Sequence, residues 1–380
     1  MLLSTVFLPV LLCLGAGVAV EDTPLSSREV AREFRETLKK FKSSSNKVVT
    51  GGSILPGNTD VTDRTTRRNI YRNFKKYAQI VNQINHDDTI PFNAELNKFS
   101  IEPASSIQTH FGLNMSNSEE EAELDSLITE LEEGDVKKRE TEEIPDRVDW
   151  SNTLSEPEHQ NKCGSCWSFS TITSFESAYF RTTGLRKKFS YQELVDCVYE
   201  EKWYGNGCTG APITTGLLFV LRNKHLAARQ DYSYVAKDEV CKQTDKENAL
   251  TNVALKRLFR VPKTDDALMR AVTVGVISVG VKAGRSLLAY KSGIYYDPYL
   301  CSHHSYPNHA VNLVGYGEKE GQKYWLVRNS WGVEWGEGGY YRMTRDHPNH
   351  CKIAETAVRL DLRCINAEEC EKQKEANGEM

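Results

Sequence analysis

Residues 160–170 of this 380-residue chain read Gln-Asn-Lys-Cys-Gly-Ser-Cys-Trp-Ser-Phe-Ser. Apolar side chains follow Cys166 at helical spacing, at Phe169, Ile172, Phe175 and Tyr179, so Cys166 is expected at the N-terminus of a helix. The unpaired backbone amides and the helix dipole at such an end favour an anion and lower the pKa of a thiol. We therefore predict that Cys166 is a nucleophilic thiolate.

A nucleophilic thiolate needs partners, and the sequence offers three. Gln160 lies six residues upstream and can donate its side-chain amide to an oxyanion, beside the Cys166 amide. His309 is a candidate base, and Asn329 can hold its imidazole through the carboxamide. Two other interpretations of Cys163-x-x-Cys166 are a redox pair and half a zinc site. The βαβ pattern typical of thioredoxin-like redox pairs is not seen in the sequence.

The run Cys-Gly-Ser-Cys-Trp at 163–167 precedes His309 and Asn329 by about the spacing typical of papain and the cathepsins. The chain therefore resembles the papain-like cysteine proteases of the cathepsin L type, from about residue 63 to residue 356. The resemblance implies an α+β, papain-like two-lobed fold, in which a helical lobe faces an antiparallel β-barrel lobe across an active-site cleft, preceded by a helical propeptide. It also implies a thiol-dependent endopeptidase made as a zymogen, with Cys166, His309, Asn329 and Gln160 as catalytic residues and with no cofactor or metal.

Hydrophobic periodicity in the region after residue 143 agrees with two lobes. Helical patterns occur in its first half, over residues 191–197 and 213–223. Alternating patterns occur in its second half, over residues 276–281, 310–314 and 323–327, and they are typical of a small antiparallel barrel.

The N-terminal part has a different character. Residues 1–20 predict a signal peptide, because they are apolar and uncharged and end in small residues. An uncleaved membrane anchor is the alternative. A capping box at Ser26 predicts a first helix, and residues 63–85 predict a second helix with an apolar stripe. Residues 92–99 alternate like a short strand.

Residues 21–143 resemble the inhibitory propeptide of cathepsin L-like enzymes. The helical signature of such propeptides is matched at four positions, which are Asp63, Arg67, Tyr71 and Asn82. Phe74 and Ala78 depart from it, and Asn97-x-Phe99 resembles the next propeptide motif. An ordinary helical N-terminal domain is the alternative. Release of the propeptide is expected at about pH 3–5, where paired carboxylates become protonated.

Residues 115–143 are predicted to be a flexible acidic connector that is cut on activation. Nine of the seventeen residues from 119 to 135 are acidic, which is typical of a solvated, mobile segment. Lys137-Lys138-Arg139 follows as a basic cluster that trypsin-like or furin-like enzymes could cut. Asn114 starts the only Asn-x-Ser/Thr sequon and is a candidate glycosylation site. The peptidase domain is expected at residues 144–361 and a C-terminal extension at 362–380.

The cysteine content fits an oxidising compartment. The resemblance implies that Cys166 is free and that three pairs form disulfides, which are Cys163–Cys208, Cys197–Cys241 and Cys301–Cys351. Cys364 and Cys370 lie beyond the family pattern, and they can bridge each other or pair elsewhere. The run Cys301-Ser302-His303-His304 also suggests a zinc site, although a second closely spaced ligand pair is missing from the sequence.

The resemblance also assigns the substrate cleft. Its substrate-binding positions are Gly210, Ala211, Pro212, Ile213, Gly280, Pro307, Asn308, Ala310, Trp331 and Thr356. The pocket for P2, the residue two before the cut, carries no charge, so an apolar P2 side chain is predicted. Trp331 is expected to cover the contact between His309 and Asn329. Ala211, Asn161 and Asn308 stand where the family has Gly, Gly and Asp.

Other functions remain open at this stage. The chain could be an inactive homologue that binds proteins, or its released propeptide could inhibit proteases in trans. An exopeptidase would need a segment that blocks the cleft, such as the extra residues between Cys197 and Cys208 or the C-terminal tail. Expected partners are protein or peptide substrates, the chain's own propeptide and cystatin-type inhibitors, with no nucleic acid and no membrane after signal removal. The expected location is the lysosome or the extracellular space.

Overall fold

The computed structural model describes residues 25–44, 63–131, 143–200, 207–242, 246–302 and 306–376. The α-helices are α1 Ser27–Ser44, α2 Arg64–His86, α3 Ser118–Leu131, α4 Cys166–Thr183, α5 Tyr191–Glu200, α6 Ile213–Asn223, α7 Asp265–Val272, α8 Arg285–Leu288 and α9 Ala367–Ala376. The strands are β1 Phe92–Ala94, β2 Val148–Asp149, β3 Val253–Arg260, β4 Ile277–Val281, β5 Tyr290–Tyr295, β6 His309–Lys319, β7 Gln322–Arg328, β8 Tyr340–Thr344 and β9 Val358–Cys364. The predicted signal peptide and the basic cleavage site lie outside the described residues.

The N-terminal region begins with two helices that meet through aromatic rings. The predicted capping box opens α1, because Ser26 N donates to the Glu29 carboxylate at 2.8 Å and Glu29 N donates to Ser26 Oγ at 3.3 Å. Phe34 of α1 meets Phe74 of α2 edge to face, with 5.1 Å between ring centroids. The predicted strand at 92–99 is shorter than expected. Only Phe92–Ala94 form the strand β1, because Asn97 caps a 3₁₀ helix at Lys98–Ile101.

One sheet carries the β lobe, with strand order β1-β5-β8-β7-β6-β4-β9-β3 and with β2 beside β6. Its neighbours pair antiparallel, except that β5 and β8 are parallel at Ile294 and Tyr295. A parallel pair needs a long crossover, and the chain between these strands passes through β6 and β7. The β lobe is therefore antiparallel, as expected, except at this one pair. The first nine residues of β6 are buried, which places His309 inside the structure.

The helical lobe is built around α4, which is buried over nearly its whole length. It packs against α5, α6, β6 and β9, so both lobes share this helix as a contact surface. Gly184 ends α4 in the left-handed conformation, with φ of 74°, as is common at helix C-termini. Within the described residues no helix is both long and apolar enough to cross a membrane.

Three disulfides follow the pairing that the resemblance implied, and Cys364 bonds to Cys370, a pairing that the sequence had left open. The bonds are Cys163–Cys208, Cys197–Cys241, Cys301–Cys351 and Cys364–Cys370. Cys166 is the free cysteine of the described chain. Because Cys301 is bonded to Cys351, the zinc interpretation loses its thiolate, and His303 and His304 lie outside the described residues.

The C-terminal extension lies far from Cys166. The Cys364–Cys370 disulfide joins β9 to α9, and Lys374 of α9 lies against Gly184 at the C-terminal end of α4. Cys166 is at the opposite end of this 18-residue helix, about 27 Å away at 1.5 Å per residue. As far as residue 376, the tail therefore does not block the cleft. Residues 201–206, which include the extra residues considered for an exopeptidase, lie outside the described chain.

Candidate active site

Cys166 begins α4 and lies at the bottom of a covered cleft. Its side chain is fully buried, and Ser165 occupies the N-cap position. The Sγ atom accepts two backbone hydrogen bonds, from Gly112 N at 3.2 Å and from Ala310 N at 3.3 Å. Ala310 belongs to β6, whereas Gly112 belongs to the N-terminal region. The thiol thus lies between the two.

The thiol is neutral in this state. Burial raises the pKa of Cys166 to about 11, although the nearby amides of Ala310, Gly112 and Trp167 lower it. The predicted lowering of this pKa is therefore wrong for the covered cleft, because desolvation by the N-terminal region exceeds the effect of the helix N-terminus. A neutral thiol is a weaker nucleophile than a thiolate.

His309 and Asn329 form a buried pair on the β lobe. His309 begins β6 and Asn329 follows β7, and His309 Nε2 lies 2.8 Å from Asn329 Oδ1. The Trp331 indole stacks on the imidazole, with 4.7 Å between ring centroids. Burial lowers the pKa of His309 to about 4. Across the described chain His309 Nδ1 has no hydrogen-bond partner, so this nitrogen is available to take a proton.

Gln160 is fully buried, and its carboxamide is fixed at both ends. Its Oε1 accepts from Ser330 Oγ at 2.5 Å, and its Nε2 donates to Cys163 O at 2.9 Å. The same Nε2 lies 3.4 Å from the His110 carbonyl oxygen. A peptide carbonyl of the N-terminal region therefore already lies beside the predicted oxyanion donor. Ser330 was not predicted as a site residue, because a serine between Asn329 and Trp331 has no distinctive pattern.

An extended part of the N-terminal region runs through the cleft. Ala211 N donates to Gly112 O at 3.0 Å, and Asn114 N donates to Ala211 O at 3.3 Å. On the other side Leu113 N donates to Asn308 O at 3.1 Å. Leu113 and Ala211 form a parallel bridge. Only glycine fits at position 112, because a Cβ there would lie 1.7 Å from the backbone oxygen of Gly164.

The Leu113 side chain occupies the predicted apolar pocket. A Cβ on Gly280 would lie 2.5 Å from Leu113 Cδ2, 2.5 Å from Thr356 Oγ1 and 3.0 Å from Pro307 Cβ. Ala211, Ile213 and Ala310 belong to the same buried apolar cluster as Leu113. Leu113 is only 7% exposed. The structure thus brings the predicted pocket residues together around an aliphatic side chain of the chain itself.

The positions that depart from the family choice have local explanations. Asn161 has a φ of 54°, a conformation that glycine adopts freely and asparagine tolerates better than most residues. Ala211 shows no positive φ and therefore needs no glycine, whereas Gly210 has a φ of 114°. Asn308 uses its whole carboxamide on the backbone of Ala283, at 2.7 and 3.1 Å. The Asn308 side chain therefore holds the backbone of Ala283 in place.

A buried polar cluster beside the site was not predicted. Lys98 of the N-terminal region donates from Nζ to the Trp331 carbonyl at 2.8 Å, and burial lowers the pKa of Lys98 to about 8. Glu102 Oε2 lies 2.9 Å from His110 Nε2 and 3.8 Å from Lys162 Nζ. Two of these contacts, Lys98 to Trp331 and Glu102 to Lys162, join residues far apart in sequence, so no local pattern indicates them.

The acidic run also differs from its prediction. Residues 118–131 form α3, which packs on α6 and β3, and Leu124 and Glu120 are buried. The expectation of a solvated, mobile segment is therefore wrong for these residues. Three of the acidic side chains pair with arginines, Glu121 and Asp125 with Arg260 and Glu123 with Arg222. Asn114 is exposed, and its glycosylation stays a prediction.

Comparison with known proteins agrees with this geometry. Residues 144–360 match the family described as papain family cysteine protease. The chain is 41% identical to cathepsin S of Mus musculus over 216 residues, which are 56% of this chain and 62% of that protein. It is 41% identical to cathepsin L2 of Homo sapiens over 224 residues, 57% of this chain and 65% of that protein. The chain thus spans less than two thirds of the length of these two relatives.

Longer matches include the N-terminal region. Cathepsin 7 of Rattus norvegicus is 36% identical over 272 residues, which are 69% of this chain and 78% of that protein. The structure of digestive procathepsin L 3 from Tenebrio molitor larval midgut superposes with a TM-score of 0.68 at 25% identity, covering 86% of this chain and 99% of that one. The proform of the ragweed pollen allergen Amb a 11, a cysteine protease, gives a TM-score of 0.69 at 26% identity, covering 90% and 98%. The chain therefore belongs to the papain family of cysteine proteases.

Proposed function

We propose that the chain is the zymogen of a thiol-dependent endopeptidase. The observation that carries this proposal is the position of Cys166 Sγ, between the start of β6, where His309 pairs with Asn329, and Gly112 of the segment that runs through the cleft. A polypeptide already lies where a substrate would have to lie, against the nucleophile and the oxyanion donor. The N-terminal region continues on both sides of residues 110–114, so the cleft admits a chain interior, as an endopeptidase requires.

In the proposed mechanism Cys166 gives its proton to His309, and Sγ then attacks the carbonyl carbon of the substrate. The oxyanion accepts hydrogen bonds from the Cys166 amide and from Gln160 Nε2, and losing one such donor should lower turnover by about 10²–10³. His309 gives the proton to the leaving amine as the C–N bond breaks, and it then activates the water that hydrolyses the thioester. Asn329 orients His309 throughout.

The N-terminal region acts as the propeptide in this proposal. Residues 1–20 are the signal peptide, residues 21–143 the propeptide, residues 144–361 the peptidase domain and residues 362–380 the C-terminal extension. Maturation removes the propeptide, and the mature N-terminus lies between Glu140 and Pro145. The enzyme works in the lysosome or outside the cell, on protein or peptide substrates, and cystatin-type proteins inhibit it.

The same geometry supports an apolar P2 preference. Leu113 fills an uncharged pocket formed at Gly280, Thr356 and Pro307, while the backbone of residues 112–114 bonds to Ala211. A substrate residue in that pocket would exchange water for the same apolar walls, which contributes roughly 1.5–3 kcal/mol for a leucine-sized side chain. A peptide-library cleavage profile of the activated protein measures this preference.

Single substitutions test the catalytic roles. Cys166→Ala should give a folded zymogen that stays inactive after incubation at pH 4, whereas Cys163→Ala should mainly lower folding yield, because it breaks the bond to Cys208. His309→Ala should lower turnover more than Asn329→Ala, because it removes the base and the leaving-group acid together. Equal residual activity in the two cysteine variants, or equal turnover in the other two, would show that the roles are wrong.

A further inference from the structure

α3 lies in a shaped surface outside the catalytic cleft, formed by α6 and β3 and here called the α3 seat. The helix turns one stripe toward the seat at spacing i, i+4, i+7 and i+8, and its members are Glu120, Leu124, Leu127 and Ile128. Leu124 is fully buried and belongs to the same apolar cluster as Leu218 of α6 and Leu258 of β3. The α3 seat therefore binds the apolar face of an amphipathic helix.

The rims of the α3 seat carry positive charge that matches the helix. Arg260 at the end of β3 lies 2.5 Å from Glu121 Oε2 and 2.9 Å from Asp125 Oδ1, two carboxylates one helical turn apart. Arg222 of α6 pairs with Glu123, which projects from the opposite side of the apolar stripe. The seat thus matches an acidic helix in both periodicity and charge.

A buried carboxylate adds selectivity within the stripe. Glu120 is 1% exposed, and its carboxylate accepts a hydrogen bond from the Thr215 hydroxyl of α6. Burying a carboxyl is costly unless it is hydrogen-bonded, and Thr215 supplies that hydrogen bond. An aliphatic residue at this position would leave the buried Thr215 hydroxyl without this partner. Thr215 therefore favours a helix with an acid at the first position of its stripe over a merely apolar helix.

The α3 seat is continuous with the cleft. Leu113 lies in the substrate pocket, the Ser116 hydroxyl lies 2.9 Å from the Thr214 hydroxyl, and Asn117 Oδ1 accepts from the amides of residues 119 and 120 at the start of α3. A chain that leaves the pocket reaches the seat within about four residues, roughly 13 Å when extended. A protein bound in the cleft can therefore extend into the seat.

We propose that the α3 seat is an exosite of the mature enzyme, which binds acidic amphipathic helices of protein substrates and which α3 occupies in the zymogen. The inference rests on the proposed function, because maturation must remove α3 before another helix can enter. The pattern it would recognise is the one that α3 presents, an acid and aliphatic residues along one stripe with acids on both flanks.

Binding is measured by fluorescence anisotropy with a labelled synthetic peptide of residues 115–131 and activated enzyme alkylated at Cys166. If the chain does not mature by itself, trypsin can cut at Lys137-Lys138-Arg139, and gel filtration in acid then removes the propeptide. We expect saturable binding that Arg260→Glu weakens at least tenfold. Lys319→Glu, the same charge change on the β6–β7 hairpin, should alter it less than twofold.

A charge swap sharpens the test. A peptide with Glu121→Arg and Asp125→Arg should bind poorly to the wild-type enzyme and should recover at least tenfold on the Arg260→Glu variant. Absence of saturable binding, equal losses from Arg260→Glu and Lys319→Glu, or equal binding of a scrambled peptide would overturn the proposal. Loss without recovery in the swap would overturn the assigned pairing, and with it the proposal.

Kinetics separate the exosite from the peptidase activity. A short fluorogenic peptide is compared with versions that carry the sequence 115–131 at either end. Arg260→Glu should raise KM for an extended substrate at least fivefold and leave KM for the short peptide unchanged. Identical KM values for the short and extended substrates would refute an exosite. A protein that is inactive before alkylation but binds the peptide after alkylation would refute the proposed function alone. An active enzyme without peptide binding would sink the exosite alone.

Discussion

Replacing Leu113 by Ala should open the zymogen measurably. Leu113 is 7% exposed and fills the pocket at Gly280 with its whole side chain. Truncating a buried leucine to alanine costs about 2–5 kcal/mol in protein cores. We take about 2–3 kcal/mol, because the two surfaces that meet at this pocket can partly close the gap. At about 1.4 kcal/mol per factor of ten, the equilibrium between closed and open zymogen should shift by roughly 30- to 150-fold.

The rate at which a small reagent alkylates Cys166 at pH 7 measures this shift. Cys166 is fully buried in the closed chain and is the free cysteine of the described residues, so the reaction reports opening of the cleft. When reclosing is faster than alkylation, the rate is proportional to the open population. Met115→Ala is the control, because Met115 is 53% exposed and its loss should change the rate by no more than about twofold. Equal rates for the two variants, or a Leu113→Ala rate equal to wild type, would refute the assignment of Leu113 to the pocket.

Three further predictions use the same zymogen. Glu102→Gln should speed Cys166 alkylation at pH 7 roughly tenfold, because the half-buried cation Lys162 loses its carboxylate; an unchanged rate contradicts this. His159→Gln should move the pH at which acid begins to speed alkylation to a lower value. Desolvation lowers the pKa of His159 in the closed zymogen, so its protonation opposes closure. An unchanged onset pH would contradict this role of His159. Replacing Cys364 and Cys370 by Ser should lower the free energy of unfolding by about 2 kcal/mol in denaturant titrations and leave kcat/KM unchanged.

The elements that could be predicted from sequence are those whose signal is local. The capping box at Ser26 and the apolar spacing after Cys166 are satisfied within one or two turns, and both helices begin where expected. The alternating run after His309 also marks a buried strand, although β6 extends to Lys319, beyond the predicted end. Local periodicity thus predicted the elements that carry Cys166 and His309.

The elements that could not be predicted depend on partners far away in sequence. The high acidic content of α3 masked the apolar stripe of this helix in the sequence. Arg260, which pairs with two of the acidic side chains, is about 135 residues further along the chain. Leu113 has no sequence feature that assigns it to the pocket at Gly280. The pKa of Cys166 differs for the same reason, because its burial is produced by residues of the N-terminal region rather than by its own helix.

Buried imidazoles, as well as carboxylates, favour release of the propeptide in acid. Closure lowers the pKa of His309 to about 4 and also lowers that of His159, and both should return toward the ordinary value of about 6.5 when the propeptide leaves. The open state therefore binds more protons between about pH 6.5 and pH 4, so acidification through this window favours opening. Burial raises the pKa of Glu120 in α3. Acid therefore has the opposite effect on this contact, because the docked helix gains stability as the Glu120 carboxyl becomes protonated. Protonation of His309 and His159 therefore favours opening of the cleft segment, whereas protonation of Glu120 favours a docked α3.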